Sequence, residues 1–297
     1  MTRARKHLVC LAQTPFYFIT ARCVRRAFLC GQDHYSGKCY EHRRGWIEDR
    51  LRALSSLLTI QVCAYAIMSN HYHLVVRLNA EDASKWSIDE VLNRWTSLFK
   101  GSLLVQRYLG GHALSGAERQ TLDDTVSVYR QRLTSLSWFM KCLNEPIARR
   151  ANAEDCCTGH FWEARFHSRA LIGDEALINA MKYVDLNPIR AQMAATLEDS
   201  AYTSIRARLV SQRSVSDPRD RIRQLIADGD IYHFDVAVRP LASFATDSIT
   251  SDDHTQIPIQ WPDYLDRLHT LGSTPVAGKR GVIDLQAQLQ KAKRPQA

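Results

Sequence analysis

The segment from residue 61 to residue 78 constrains the fold more than any other part of this chain, because its pattern predicts an antiparallel hairpin. Two apolar stretches of strand length flank a tight turn at Ser69-Asn70. Side chains alternate between the two faces of a strand. One face of the second strand is therefore apolar and suited to a core: Tyr72, Leu74, Val76 and Leu78. The other face carries His71, His73, Val75 and Arg77.

The two histidines of this strand stand at positions i and i+2, so their imidazoles lie on the same face. Two such side chains can converge on one metal ion, and neutral imidazole is a common ligand. His71 and His73 are therefore candidate metal ligands. A pair of unrelated surface histidines would give the same spacing, and the strand by itself leaves that alternative open.

A second segment, from Asp174 to Asn187, predicts an amphipathic helix. Asp174 is the expected N-cap, and Pro188 should make Asn187 the last helical residue. The expected buried stripe consists of Leu177, Ile178, Met181 and Val184. Tyr183 and Asn187 are four residues apart and are neighbours on a flank outside that stripe. A tyrosine at the edge of the core and an asparagine that caps the helix would also explain this pattern.

Three motifs of the chain together resemble the HUH-type tyrosine transposases, and within them the REP-associated tyrosine transposases. That family has a His-hydrophobic-His strand preceded by Pro-Asn, then Trp-x-x-Arg-Phe, then a helix with a tyrosine that runs into Asn-Pro-Val-x-Ala. The matching segments here are Met68–Val76, Gly159–Phe166 and Tyr183–Ala191. Ser69 stands where proline is usual and Ile189 where valine is usual. The resemblance covers most of residues 10 to 210.

The resemblance implies a ferredoxin-like antiparallel sheet with helices on one face, so an α+β fold is expected. It implies that Tyr183 attacks a scissile phosphate, leaving a 5′-phosphotyrosine link and a free 3′-OH. His71 and His73, with Asn187 as the position-matched third ligand, would hold a divalent ion, Mg²⁺ or Mn²⁺. The metal or the neighbouring Lys182 would favour the phenolate. Such a protein cleaves and rejoins single-stranded DNA one strand at a time.

The net charge of +8 indicates a polyanionic partner. The first fifty residues hold ten Lys and Arg residues against four acids, so most of the excess charge lies there. Aromatic residues between these charges can stack on unpaired bases, which favours single-stranded or hairpin DNA as the partner. A solvated basic face is the alternative. The candidate DNA contacts are Arg22, Arg25, Arg26, Arg165, His167, Arg169 and Lys182.

The 297 residues are predicted to form a catalytic domain over 1–210 and a C-terminal appendage over 211–297. Strands and helices are mixed in order, which is typical of α+β proteins. Residues 80–133 are predicted as a helical insert of unassigned role. The appendage should contain a linker, a helix at about 219–235, a segment near Trp261 that docks on the domain, and a disordered tail from 291.

The sequence has no run of 18 apolar residues, which excludes a transmembrane helix, and a cytoplasmic location is expected. The eight cysteines include no Cys-x-x-Cys pair and are predicted to be free thiols.

Two other classes of function stay open. One is a domesticated nucleic-acid-binding protein without turnover, and the other is a metal phosphodiesterase that uses water as its nucleophile. The pattern also leaves open a homodimer, and whether Tyr183 acts in its own subunit or in a partner.

Overall fold

The computed structural model describes residues 11–24, 29–32, 37–211, 218–246, 255–278 and 281–284. Arg25 and Arg26, two of the candidate DNA contacts, lie outside these residues. So do most of the predicted linker (212–217) and the predicted disordered tail (291–297).

Four strands among the described residues form one antiparallel sheet: β1 (Phe16–Arg22), β2 (Ile60–Ile67), β3 (His71–Leu78) and β4 (His167–Ala170). Their order in the sheet is β2-β3-β1-β4. A helix follows β1, β2 and β3 form the predicted hairpin, and further helices precede β4. This β-α-β-β-α-β order with an antiparallel sheet is the ferredoxin-like arrangement. The predicted α+β fold is thus confirmed.

Helices make up most of the remaining described structure. Their bounds are α1 Arg43–Leu57, a 3₁₀ helix Ala80–Lys85, α2 Ile88–Leu98, α3 Leu103–Leu109, α4 Gly116–Leu133, α5 Leu136–Glu154, α6 Asp174–Arg190, α7 Ser204–Ser211, α8 Pro218–Ala227 and α9 Trp261–Ser273. A short parallel pair joins β5 (Phe244–Ala245) to β6 (Ile257–Gln260). No helix within the described residues has the length and apolarity needed to cross a membrane.

Helices cover both faces of the sheet, so the expectation of helices on one face is wrong. Tyr17, Ile19 and Leu74 belong to a core shared with α1 and α5. Ala64 and Val75 point the other way and pack with α6 and α9. The middle of the second face of β2 and β3, between the histidines at one end and Gln61 and Arg77 at the other, is apolar, and such a surface has to be buried.

The helix that carries Tyr183 differs from its prediction at both ends. Gly173 is the N-cap, with φ 82°, so Asp174 is the first helical residue and not the cap. Glycine adopts this backbone without steric cost. The helix also continues through Pro188 to Arg190. Proline removes one hydrogen bond in a helix. The helix tolerates that loss near its C-terminal end, because the burial of Pro188 and Ile189 stabilises its last turn.

The strand predicted at about 162–171 is shorter, because the regular strand β4 covers only His167–Ala170. An isolated bridge between Cys23 and Trp162, together with the Glu163 N–H bond to the Arg22 carbonyl (2.8 Å), still attaches the preceding segment to the end of β1. The predicted helix at about 219–235 also ends earlier, at Ala227.

Candidate active site

The two histidines of β3 converge at the start of that strand. The Nε2 atoms of His71 and His73 lie 3.0 Å apart, and the two rings are nearly perpendicular. The side-chain oxygen of Asn70 lies 2.6 Å from His71 Nδ1. With the proton on Nδ1, His71 donates to Asn70 and keeps an Nε2 lone pair directed at the neighbouring ring. Asn70 therefore orients the first imidazole.

The environment of His71 favours neutral imidazole. Burial lowers the pKa of His71, and the positive charge of Arg22 lowers it further. His73 is 6% exposed. Neutral imidazole is the form that ligates metal ions.

Tyr183 lies beside this pair within the same chain. Its ring centroid is 5.4 Å from that of His73 and 6.0 Å from that of Phe18. Phe18 in turn stacks on His73 at 5.6 Å. Although 46% of Tyr183 is exposed, its ring is held at the edge of the histidine site. The stripe that fixes α6 on the sheet is buried as predicted: Leu177, Ile178, Met181 and Val184.

The histidine pair has the spacing of two adjacent ligands of one ion. Ligands at about 2.1 Å from a metal and at right angles to each other are about 3.0 Å apart, which is the geometry of an octahedral ion. Within the described residues, no group of three His, Cys, Asp or Glu side chains is arranged to hold a metal. A third protein ligand would therefore have to be of another type. Asn187, half-buried and one turn after Tyr183, offers an amide oxygen.

An open cavity of about 490 Å³ adjoins the histidines. Its lining residues come from β1, β3, the segment before β4 and the first residue of β4: Thr20, Ala21, Arg22, His71, His73, Glu163, Ala164, Arg165 and His167. Arg22, Arg165 and His167 are three of the sequence-predicted DNA contacts. Arg22 also faces Glu163, at 3.9 Å.

The Trp-x-x-Arg-Phe motif shapes one wall of this cavity. Trp162 packs edge-on against Tyr72, and its indole donates to the Asn144 carbonyl at 2.9 Å. Phe166 is buried at the other end of the motif. The residues between these two anchors, including Arg165, are exposed and line the cavity. The motif therefore fixes a short segment at both ends and presents its middle to the site.

Two other predicted contacts lie outside the cavity lining. Arg169 is paired with Phe18 across β1 and β4, so it is on the same sheet face as Tyr183. Lys182 is half-buried on α6, next to Tyr183 in sequence but about 100° around the helix.

Asp185 is a residue of this region that sequence reasoning missed. It is a fully buried residue of α6 itself. Its carboxylate accepts three hydrogen bonds, from Ser204 Oγ at 2.5 Å, the Ile205 N–H at 3.1 Å and the Tyr264 hydroxyl at 2.6 Å. Burial raises the pKa of this carboxyl, although Arg208 and the three donors oppose the shift. Asp185 thereby ties α6 to the first turn of α7 and to α9. The signal available in the sequence was an acidic residue directly after Val184, the last residue of the predicted apolar stripe.

Arg190 makes a second attachment at the C-terminal end of α6. Its guanidinium donates to the carbonyls of Leu271 at 2.5 Å, Thr274 at 3.0 Å and Gly281 at 3.0 Å. Gly281 also lies directly against the Ile189 carbonyl, where a Cβ has no room. The segment near Trp261 thus docks on the helix that bears Tyr183, as predicted.

Comparisons with known proteins do not decide the chemistry of this site. No protein-family model matches the chain, and no curated protein matches it in sequence. A solved structure of a REP-associated tyrosine transposase bound to a REP hairpin is similar over 73% of this chain and 90% of the other. The sequence identity is 10% and the TM-score is 0.36. The chemistry therefore has to be argued from the residues of the site.

Proposed function

We propose that this protein is a metal-dependent single-strand DNA endonuclease and transposase, which cleaves and rejoins hairpin-associated DNA through a covalent 5′-phosphotyrosine. The observation that carries the proposal is the packing of the Tyr183 ring against His73, whose Nε2 meets that of His71 at 3.0 Å. A tyrosine ring and a metal-type histidine pair are thus neighbours, and both histidines line an open cavity.

The chain's residues divide the chemistry as follows. His71 and His73, with Asn187, would hold Mg²⁺ or Mn²⁺, and a bound ion supplies Lewis-acid polarisation of the scissile phosphate. A hydrogen bond from His71 Nδ1–H to the Asn70 side-chain oxygen would keep His71 in the ligating tautomer. Tyr183 attacks the phosphorus, and the 3′-oxygen leaves. The phosphotyrosine bond conserves the energy of the phosphodiester, so the reverse attack by a 3′-OH rejoins strands without ATP.

The cavity also offers groups that can bind a single strand of DNA. Arg22 and Arg165 on its walls can bind phosphates, and Arg169 lies beyond it on the same sheet face. The exposed ring of Tyr183 is accessible to an unpaired nucleotide. The three motif segments of the resemblance give independent support for this substrate class.

The test is the formation of a protein–DNA adduct. The protein is incubated with Mn²⁺ and a pool of labelled single-stranded hairpins, and the denatured mixture is separated by electrophoresis. We expect a labelled band at the size of protein plus DNA, which disappears in Tyr183→Phe while hairpin binding remains. Cleavage that persists in Tyr183→Phe would refute the tyrosine mechanism and favour the water-using phosphodiesterase. Binding without any cleavage by the unmodified protein would favour the non-catalytic alternative.

A further inference from the structure

A third histidine lies on the same face of the sheet as the candidate ligand pair. Thr20 in the middle strand β1 is paired with His73 on one side and with His167 on the other. Residues directly opposite each other on antiparallel strands project to the same face. With strands about 4.8 Å apart, the backbones of His73 and His167 are separated by about 10 Å, with β1 between them.

His167 and the ligand pair stand on opposite walls of the same cavity. His71, His73 and His167 all line it, and His167 is exposed to the solvent there. Within the described part of the chain these three imidazoles do not form a metal-binding group. The cavity beside the ligand pair extends to β4, so a phosphate bound in it can present one bridging oxygen to His167.

We propose that His167 is a catalytic residue that protonates the 3′-oxygen as it leaves, an inference that rests on the proposed function. The Tyr183 oxygen forms a bond to phosphorus while the bond from phosphorus to the 3′-oxygen breaks. The electron pair of the broken bond passes to the 3′-oxygen, which takes a proton from the His167 imidazolium; the phenolic proton goes to solvent. In the joining direction, neutral His167 removes the proton from the attacking 3′-OH.

The other polar groups of this wall are less suited to the role. Imidazole exchanges a proton near neutral pH, which is what one residue acting as acid and then as base requires. Arg22 and Arg165 stay protonated, because guanidinium does not lose its proton in proteins. The Glu163 carboxylate faces Arg22. His167 is therefore the group of this wall that is able to move a proton in both directions.

The experiment compares two oligonucleotides that differ by one atom at the scissile bond, with native oxygen or with sulfur at the 3′-bridging position. A thiolate leaves without protonation. Removal of a general acid costs about 10²–10⁴-fold in rate. We expect His167→Ala to form adduct on the native oligonucleotide at least about 100-fold more slowly than the unmodified protein. On the sulfur oligonucleotide, the rate of adduct formation by His167→Ala should be within about threefold of the rate of the unmodified protein, because the leaving thiolate needs no proton.

Two controls separate this role from simpler ones. His112→Ala makes the same change at an exposed histidine between α3 and α4 and should leave both rates unchanged. Mn²⁺ affinity, measured by calorimetry without DNA, should be the same in His167→Ala as in the unmodified protein. Equal slowing on both oligonucleotides would overturn the proposal in favour of DNA positioning, and loss of Mn²⁺ affinity would overturn it in favour of ligation. If the unmodified protein forms no adduct on either oligonucleotide, the proposed function itself fails, which is a distinct result.

Discussion

Removal of the Asp185 carboxylate should destabilise the protein, because this one side chain holds three elements together. Asp185 accepts hydrogen bonds from Ser204 and Ile205 at the start of α7, and from Tyr264 of α9. All of these groups lie in a region closed to water. Asp185→Ala deletes the acceptor and leaves its donors in place, whereas Asp185→Asn preserves the shape and one oxygen.

The size of the effect follows from which donors find new partners. The Ser204 hydroxyl can turn fully to the Tyr65 carbonyl, which already lies at 3.3 Å. The Ile205 N–H and the Tyr264 hydroxyl would be left buried without an acceptor, at a cost of about 1–3 kcal/mol each. Relief of the desolvation of the carboxylate offsets part of this cost. We therefore expect Asp185→Ala to lower the free energy of unfolding by about 2–4 kcal/mol.

Asp185→Asn should lower that free energy by only about 1 kcal/mol. Its amide oxygen still accepts from Ser204 and Ile205, and the Tyr264 hydroxyl can rotate to accept from the amide N–H. Urea unfolding followed by circular dichroism measures the free energy of unfolding of both variants. An unchanged slope of this free energy against urea concentration would show that the variants are as compact as the unmodified protein. The reasoning is refuted if Asn costs as much as Ala, or if Ala costs less than about 1 kcal/mol.

Three further outcomes are expected. A mixture of His71→Ala and Tyr183→Phe proteins should form no more adduct than either alone, since the Tyr183 ring packs against His73 of its own chain; restored adduct would show exchange between subunits. Hairpin DNA should compete better than blunt duplex in gel shifts, with affinity that falls as salt rises. Burial raises the pKa of Asp49 to about 6 against the opposing charge of Arg221, so the folded state binds this proton more tightly. The free energy of unfolding should therefore fall by on the order of 2 kcal/mol between about pH 4 and 6, and Asp49→Asn should not show this fall in urea titrations.

The hairpin and the histidine site could be predicted because alternation along a strand fixes the face of every side chain. The alternation in β3 placed Leu74 in one core and His73 on the opposite face, and the structure has both as expected. The stripe of α6 was predictable for the same reason, with the helical period in place of the strand period. In each case a local pattern determined the result.

The second helical layer could not be predicted from any one element. Cys63 and Ala64 are small side chains on β2 that accept the close approach of α6, and α9 packs on α6 in the same core. The pairing of β2 with β3 shifts between Val62 and Ala64, so two consecutive residues of β2 face the same core. A bulge of this kind breaks the alternation on which the prediction depends. Its presence follows from tertiary packing and not from the local sequence.

The ends of α6 show a different limit. The sequence contains both Gly173 and Asp174, and either is an acceptable N-cap residue. The left-handed backbone at Gly173 decides between them. Pro188 indicated a helix end, but Arg190 continues the helix because its guanidinium binds carbonyls of α9 and of the segment beyond it. Those acceptors are more than 80 residues away in sequence.

The attachments of α6 bear on how a single chain builds its site. Tyr183 is exposed, yet the helix beneath it is fixed by a buried apolar stripe, by Asp185 to α7 and α9, and by Arg190 to the C-terminal segment. Donation of this helix to another subunit would break these bonds and expose apolar residues such as Met181 and Val184 to water. The stabilisation that is lost would come from the same core that places the Tyr183 ring beside His73. The helix α9 and the segment after it therefore support the candidate active site indirectly, by holding the tyrosine helix against the histidines of its own chain.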